Sequence, residues 1–139
     1  MKNIINIISI LLLAVSITFG QASNVSQEII STAGAAQLIL DLGTEHITIK
    51  STKGSRILVE TNISLSTPNE KMLDFLISSG RYSLIVSNDP ASGALTITRK
   101  RNLNILIVKG VECVETYSYV IFVPESISFT STNTTVAHN

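Results

Sequence analysis

Apolar residues recur at every second position through most of the chain, the period of strands that bury one face. Leu38, Leu40 and Leu42 alternate with Gln37 and Asp41, and Ile47 and Ile49 with His46, Thr48 and Lys50. Gly43 lies between the two runs. Its easy access to positive φ predicts a tight turn that joins them as a hairpin. A second turn at Ser51 to Ser55, carrying Gly54, leads into the longest alternation, with Ile57, Val59, Thr61, Ile63 and Leu65 on one face and Arg56, Glu60, Asn62 and Ser64 on the other. Further strands are expected at Tyr82 to Val86, at Leu95 and Ile97 after an Asn88-Asp89-Pro90 turn, and from Cys113 to Val123, where Pro124 ends the hydrogen-bond ladder. Ile127 and Phe129 begin one more.

Two stretches depart from this period. Leu103 to Val108 is apolar on both faces and is expected to be a central strand. Thr67, Pro68 and Glu70 form a capping-box pattern ahead of Met72, Leu73, Phe75, Leu76 and Ile77, and Gly80 is a natural stop, so one short α-helix is expected near residues 68–79. The expected fold class is mainly β: an antiparallel β-sandwich or a short solenoid-like roll of about eight or nine strands.

The amino end has a different pattern. Lys2, an apolar run from Ile4 to Phe19, and small residues at Gly20 and Ala22 match a secretory signal peptide over residues 1–20, with cleavage after Gly20 or after Ala22. Residues 21–34 are polar and small apart from Ile29 and Ile30 and are expected to be a lead-in holding at most a short strand; 35–132 form a single β-rich domain, and 133–139 a polar tail. The protein is thus expected in the periplasm, at the cell surface or outside the cell, with no membrane span once the leader is removed.

Charge narrows the range of partners. Ten basic side chains balance ten acidic ones, which gives no electrostatic reason to expect nucleic acid. Cys113 is the single cysteine, so no disulfide forms within the chain. His46 and His138 are the two histidines; without further ligands at metal spacing neither predicts a site, and no cofactor is expected. Cys113 lies between Glu112 and Glu115, whose negative charge disfavours thiolate, so a packed thiol is expected rather than a nucleophile. Glu112 with Glu115, and Asp41 with Glu45, are pairs of acids of the kind a glycosidase uses, but paired acids at strand ends are common and no tryptophan is present to stack on a sugar. The densest charge, Arg99-Lys100-Arg101, is expected to be a solvated turn.

Several segments together resemble the putative-adhesin family of secreted bacterial β-rich proteins. They are Ile47-Thr48-Ile49-Lys50 with its turn at Lys53-Gly54-Ser55, Gly80-Arg81-Tyr82-Ser83-Leu84, Ala94-Leu95-Thr96-Ile97, Val108-Lys109-Gly110-Val111-Glu112, and Tyr119-Val120-Ile121-Phe122-Val123-Pro124. The resemblance covers the amino-terminal part of such proteins, which continue after the proline into a longer β-solenoid, and it brings no catalytic residues. It implies a non-enzymatic domain acting by contact with a protein, a glycan or a matrix surface. A small secreted hydrolase and a periplasmic small-ligand binder are the alternatives. The expected contact edge is the final strand, with Ser126, Ser128, Thr130 and Thr132 facing outward, because no lysine or glutamate follows Glu125 there to discourage pairing with a partner or a second copy.

Overall fold

Inward-facing Tyr117, Tyr119, Ile121 and Val123 run along the middle of the molecule, and the other elements assemble around them. The computed structural model describes residues 20–44, 46–101, 103–132 and 137–138. In chain order the elements are β1 (Ala22–Ser31), β2 (Gln37–Asp41), β3 (Ile47–Thr52), β4 (Arg56–Leu65), α1 (Glu70–Ser78), β5 (Leu84–Asp89), β6 (Ala94–Arg99), β7 (Leu106–Val108), β8 (Val111–Cys113), β9 (Glu115–Pro124), β10 (Ser128–Ser131) and β11 (Ala137–His138). A large sheet has the order β1-β4-β9-β3-β11, a small sheet the order β10-β2-β6-β5, and β7 and β8 pair as a separate hairpin. The fold is mainly β and sandwich-like, as its alternation requires.

The signal-peptide segment expected at residues 1–20 lies outside the described residues except for Gly20. Among the described residues no helix is long and apolar enough to cross a membrane.

The ladders are of both kinds, where the expected sandwich is antiparallel throughout. Antiparallel ladders join β1 to β4, β4 to β9 and β5 to β6. Parallel ladders join β2 to β6 and β10, and β3 to β9 and β11. The passage from β2 into β3 therefore crosses between the sheets, and β10 into β11 repeats that crossing one layer away. The expected hairpin at Gly43 is corrected by this pairing, since β2 and β3 belong to different sheets. A short glycine turn suits a hairpin and a sheet-to-sheet corner equally well. Here Leu38, Leu40 and Leu42 face Ile47 and Ile49 across the core, which only the corner allows.

The segment expected to be a lead-in is the ten-residue strand β1, paired with β4 from Ala22 opposite Leu65 to Ser31 opposite Arg56. Its place at the sheet edge explains the missing pattern, because Ala22 and Ile30 alone are buried along it. The expected central strand at Leu103 to Val108 is corrected as well: it contributes only the three residues of β7, with Ile105 and Ile107 left 67% and 62% exposed.

Two clusters make up the core. The first fills the space between the sheets and includes Leu38, Leu40, Ile57, Leu95, Ile97, Tyr119, Ile121 and Ile127. The second lies under α1 and the β7–β8 hairpin and includes Ala22, Ile63, Leu65, Leu73, Leu76, Tyr82 and Cys113. The large sheet underlies both because β1, β4 and β9 are ten residues long, whereas β2 and β6 have five and six.

Helix α1 is capped by Asn69, whose side chain accepts from the Met72 amide at 2.9 Å, one step nearer the apolar stripe than Pro68. Thr67 serves elsewhere, its carbonyl accepting from the Ala22 amide at 3.2 Å. Asn69→Ala should therefore cost about 1 kcal/mol in a urea melt, while Thr67→Ala, which keeps that carbonyl, should cost clearly less.

Candidate functional site

The two core clusters meet at a seam beneath Tyr117, which packs against both. Three elements send polar side chains into it. Gly80, at φ 75, ends the α1 turn and directs Arg81 and Tyr82 inward. Arg99 is the last residue of β6, on the inward face with Leu95 and Ile97, and Glu115 and Tyr117 open β9.

Arg81 holds Glu115 with two parallel bonds, Nε to Oε1 and Nη2 to Oε2, both 2.8 Å. Its Nη2 also donates to the Asn104 carbonyl at 2.6 Å, and the Tyr82 hydroxyl donates to Glu115 Oε1 at 2.8 Å. Burial pushes the Glu115 carboxyl upward, but the Arg81 and Tyr82 hydrogen bonds and the Arg81 charge together outweigh it and hold the carboxyl below its usual range. Burial, followed by the hydrogen bond to Glu115, raises the Tyr82 phenol. Burial, followed by the nearby Glu115 charge, pushes Tyr117 up to about 12. The two rings meet edge to face, 5.7 Å between centroids.

The basic triplet is not the solvated turn expected of it. Lys100 Nζ donates to the Gly80 carbonyl at 2.6 Å, and Arg101 pairs with Asp41 at 2.5 Å. The Arg99 guanidinium lies 5.0 Å from the centre of the Tyr117 ring. Beyond this triplet opens a groove of about 480 Å³, with Leu103, Ile105 and Leu106 on one side and Glu112 to Glu115 on the other.

Of the residues singled out from sequence, the groove gathers Cys113, Glu112, Glu115 and the basic triplet, but not His46. Cys113 is 5% exposed and its sulfur accepts from Ser66 Oγ at 3.8 Å, which makes it a packed thiol. Glu115 is committed to Arg81, and Asp41 to Arg101; Glu45 and the terminal Asn139 lie outside the described residues. His46 is exposed ahead of β3. Among the described residues no three His, Cys, Asp or Glu side chains stand close enough to hold a metal ion. Ser126, Ser128, Thr130 and Thr132 are exposed, and β10 is the last strand of the small sheet. Three of the four hydroxyls turn toward β2 or the residue before it: Ser128 donates to the Ala36 carbonyl, Thr132 to the Leu40 carbonyl, and Thr130 accepts from Gln37.

Sequence reasoning passed over Arg81, Tyr82 and Tyr117, because Arg81 and Glu115 are 34 positions apart and no local pattern pairs them. It also passed over the apolar surface beside the groove. Ile107 and Glu112 are cross-strand partners on the outer face of the hairpin, while Leu106 and Cys113 pair on the inner face. Ile105, Ile107, Val111 and Val114 are 67%, 62%, 69% and 54% exposed. The double-sided apolarity of Leu103 to Val108 was the available signal. One face packs, and the other is presented to solvent.

Comparison with known proteins adds little to this geometry. No family model and no curated protein matches the chain. Among solved structures, a putative cell adhesion protein from Clostridium sporogenes is similar over 78% of this chain, at 12% identity and a TM-score of 0.42. The chain spans 45% of that protein's length.

Proposed function

We propose that the protein is an exported, non-enzymatic contact domain that acts through its β7–β8 hairpin, and that the hairpin seats a second copy of this chain. The observation behind the reading is the set of exposed aliphatic side chains on and beside the hairpin, Ile107 on its outer face, Ile105 and Val114 flanking its two strands and Val111 next to its turn. Contiguous apolar surface of this kind is costly to leave in water and marks interaction sites. A second copy suits it because the hairpin carries opposite charges beside these apolar side chains. Lys109 lies at the turn and Glu112 on the outer face, both exposed, and neither is in an ion pair among the described residues. A two-fold contact sets the apolar set against itself and gives each Lys109 a Glu112 to face. Glu115, the one acid of the groove in a network, is held ionised by Arg81, which suits a structural part better than a proton donor.

Sedimentation of the exported protein over a range of concentrations tests the reading. The wild type should associate reversibly, and Ile107→Lys should stay monomeric with an unchanged circular dichroism spectrum. A wild type that is monomeric at every concentration overturns it. The paired change Ser128→Lys and Thr130→Lys tests the β10 face. If that variant disperses the copies and Ile107→Lys does not, the contact belongs to β10 and the hairpin proposal fails.

A further inference from the structure

Three arginines reach the seam or its rim, and two have an acidic partner. Arg81 has Glu115 and Arg101 has Asp41. Arg99 has none among the described residues, and its Nε is buried and donates to nothing there. An arginine that gives up water is normally repaid by charged hydrogen bonds, so a buried guanidinium nitrogen with no acceptor needs an explanation.

The surroundings hold Arg99 in place rather than satisfying it. The Tyr117 ring lies against the guanidinium, and Arg99, Tyr82, Tyr117 and Tyr119 line the same narrow space inside the seam. On the opposite side the chain passes at Gly43, where φ is 63 and an added Cβ would come within 3.3 Å of Arg99 Nε. Glycine there leaves room for the fork. Arg99 also lines the open groove, so one residue borders both the narrow aromatic space and a surface that a ligand can reach.

We infer that this groove is a binding site for a carboxylate, with Arg99 as its anchor. The charges along the groove favour a single negative charge. Arg101 is offset by Asp41 and Glu115 by Arg81, which leaves Arg99 and Lys100 against Glu112. A planar carboxylate accepts two parallel bonds from a guanidinium. A doubly charged phosphate would carry one negative charge more than Arg99 and Lys100, set against Glu112, can balance. Leu103, Ile105 and Val114 supply apolar wall, so the ligand carries its carboxylate on a body that can lie against aliphatic surface. A uronic acid of a glycan and the carboxylate of a peptide both have this chemistry. The groove shares Ile105, Glu112 and Val114 with the copy-to-copy contact, whereas its anchor Arg99 lies outside that contact, so association read by sedimentation and carboxylate binding read at Arg99 are separate tests.

Nitrogen-15 spectroscopy of the full exported protein tests the inference directly. The Arg99 Nε–H resonance, identified by its loss in Arg99→Lys, is followed at fixed ionic strength while glucuronate, N-acetyl-leucine, N-acetyl-leucinamide or inorganic phosphate is added. A saturable shift with either carboxylate, and none with the amide, is expected. In Arg99→Lys, which keeps the charge but loses the fork, the same carboxylate followed at the Tyr117 ring should bind about tenfold more weakly. Saturation by glucuronate alone identifies a glycan source, and saturation by N-acetyl-leucine alone a peptide source. Absence of saturation with both carboxylates, an equal response to the amide, or tighter binding of phosphate overturns the proposal. Should Arg99→Lys fail to fold, the wild-type comparison of acid with amide still decides, with the resonance assigned through its spin system.

Discussion

Leu95→Ala and Ile121→Ala should each lower the free energy of unfolding by about 2–4 kcal/mol, measured as a shift of the urea midpoint at unchanged slope. Leu95 is 1% exposed and Ile121 0%, and they approach the space between the sheets from opposite sides. Leu95 pairs with Leu38 on one flank and Asn88 on the other, and Ile121 lies between Val59 and Ile49. Each shortened side chain would leave a void walled by strands held on both edges, so collapse around it is limited and the cost falls in the upper part of the range for lost methyl groups. A loss below about 1 kcal/mol for both variants would mean that the sheets do not close on one another as described.

The second large effect is expected at the seam. Glu115→Ala removes the acceptor of two Arg81 bonds and one Tyr82 bond and leaves the Arg81 guanidinium largely shielded from water, at a cost of about 2 kcal/mol. The pH dependence separates this charge effect from lost packing. The folded Glu115 carboxyl lies below its unfolded value of about 4.3. Its contribution is thus complete above that pH and is lost as pH falls through the folded value. Glu115→Gln, which keeps the shape, should flatten the acid limb of the stability curve. On the alkaline side burial, followed by the Glu115 charge, pushes Tyr117 up to about 12 in the fold, against about 10 when unfolded. The folded state then holds the extra proton, and stability falls as pH rises from about 10 toward 12. An acid limb of equal steepness in wild type and Glu115→Gln would remove Glu115 as its source.

Legibility followed burial. β2, β3, β4 and β9 could be read because each presents one clean inward face, and α1 because its stripe has a different period. β1 could not be read: an edge strand with two buried side chains leaves no alternation to find. The corner at Gly43 was mistaken for a hairpin because turn chemistry fixes the bend and not the partner. Partner choice for β2 rests on β6 and β10, more than fifty residues further along. The seam was invisible for the same reason. Arg81 and Glu115 are ordinary surface residues until the fold places them 2.8 Å apart. The basic triplet misled because charge in a sequence reads as solvation, whereas Lys100 reaches a backbone carbonyl and Arg99 an aromatic face.

The layering of β3 between β9 and β11 has a consequence in time. Ile47 finds its neighbour at Tyr119, and Thr48 its other neighbour at Ala137, so neither ladder can form until nearly the whole chain is available. Contacts this distant in sequence close slowly, because the loop between them loses its freedom before any pairing compensates. A chain emerging from one end therefore stays open through most of its passage, with β1 and β4 able to pair early and β3 waiting for the final strands. Late closure leaves both edges of β3 without a partner until β9 has been made. The ladder that delays folding is also the one that, once formed, fixes β3 to β9 inside the large sheet.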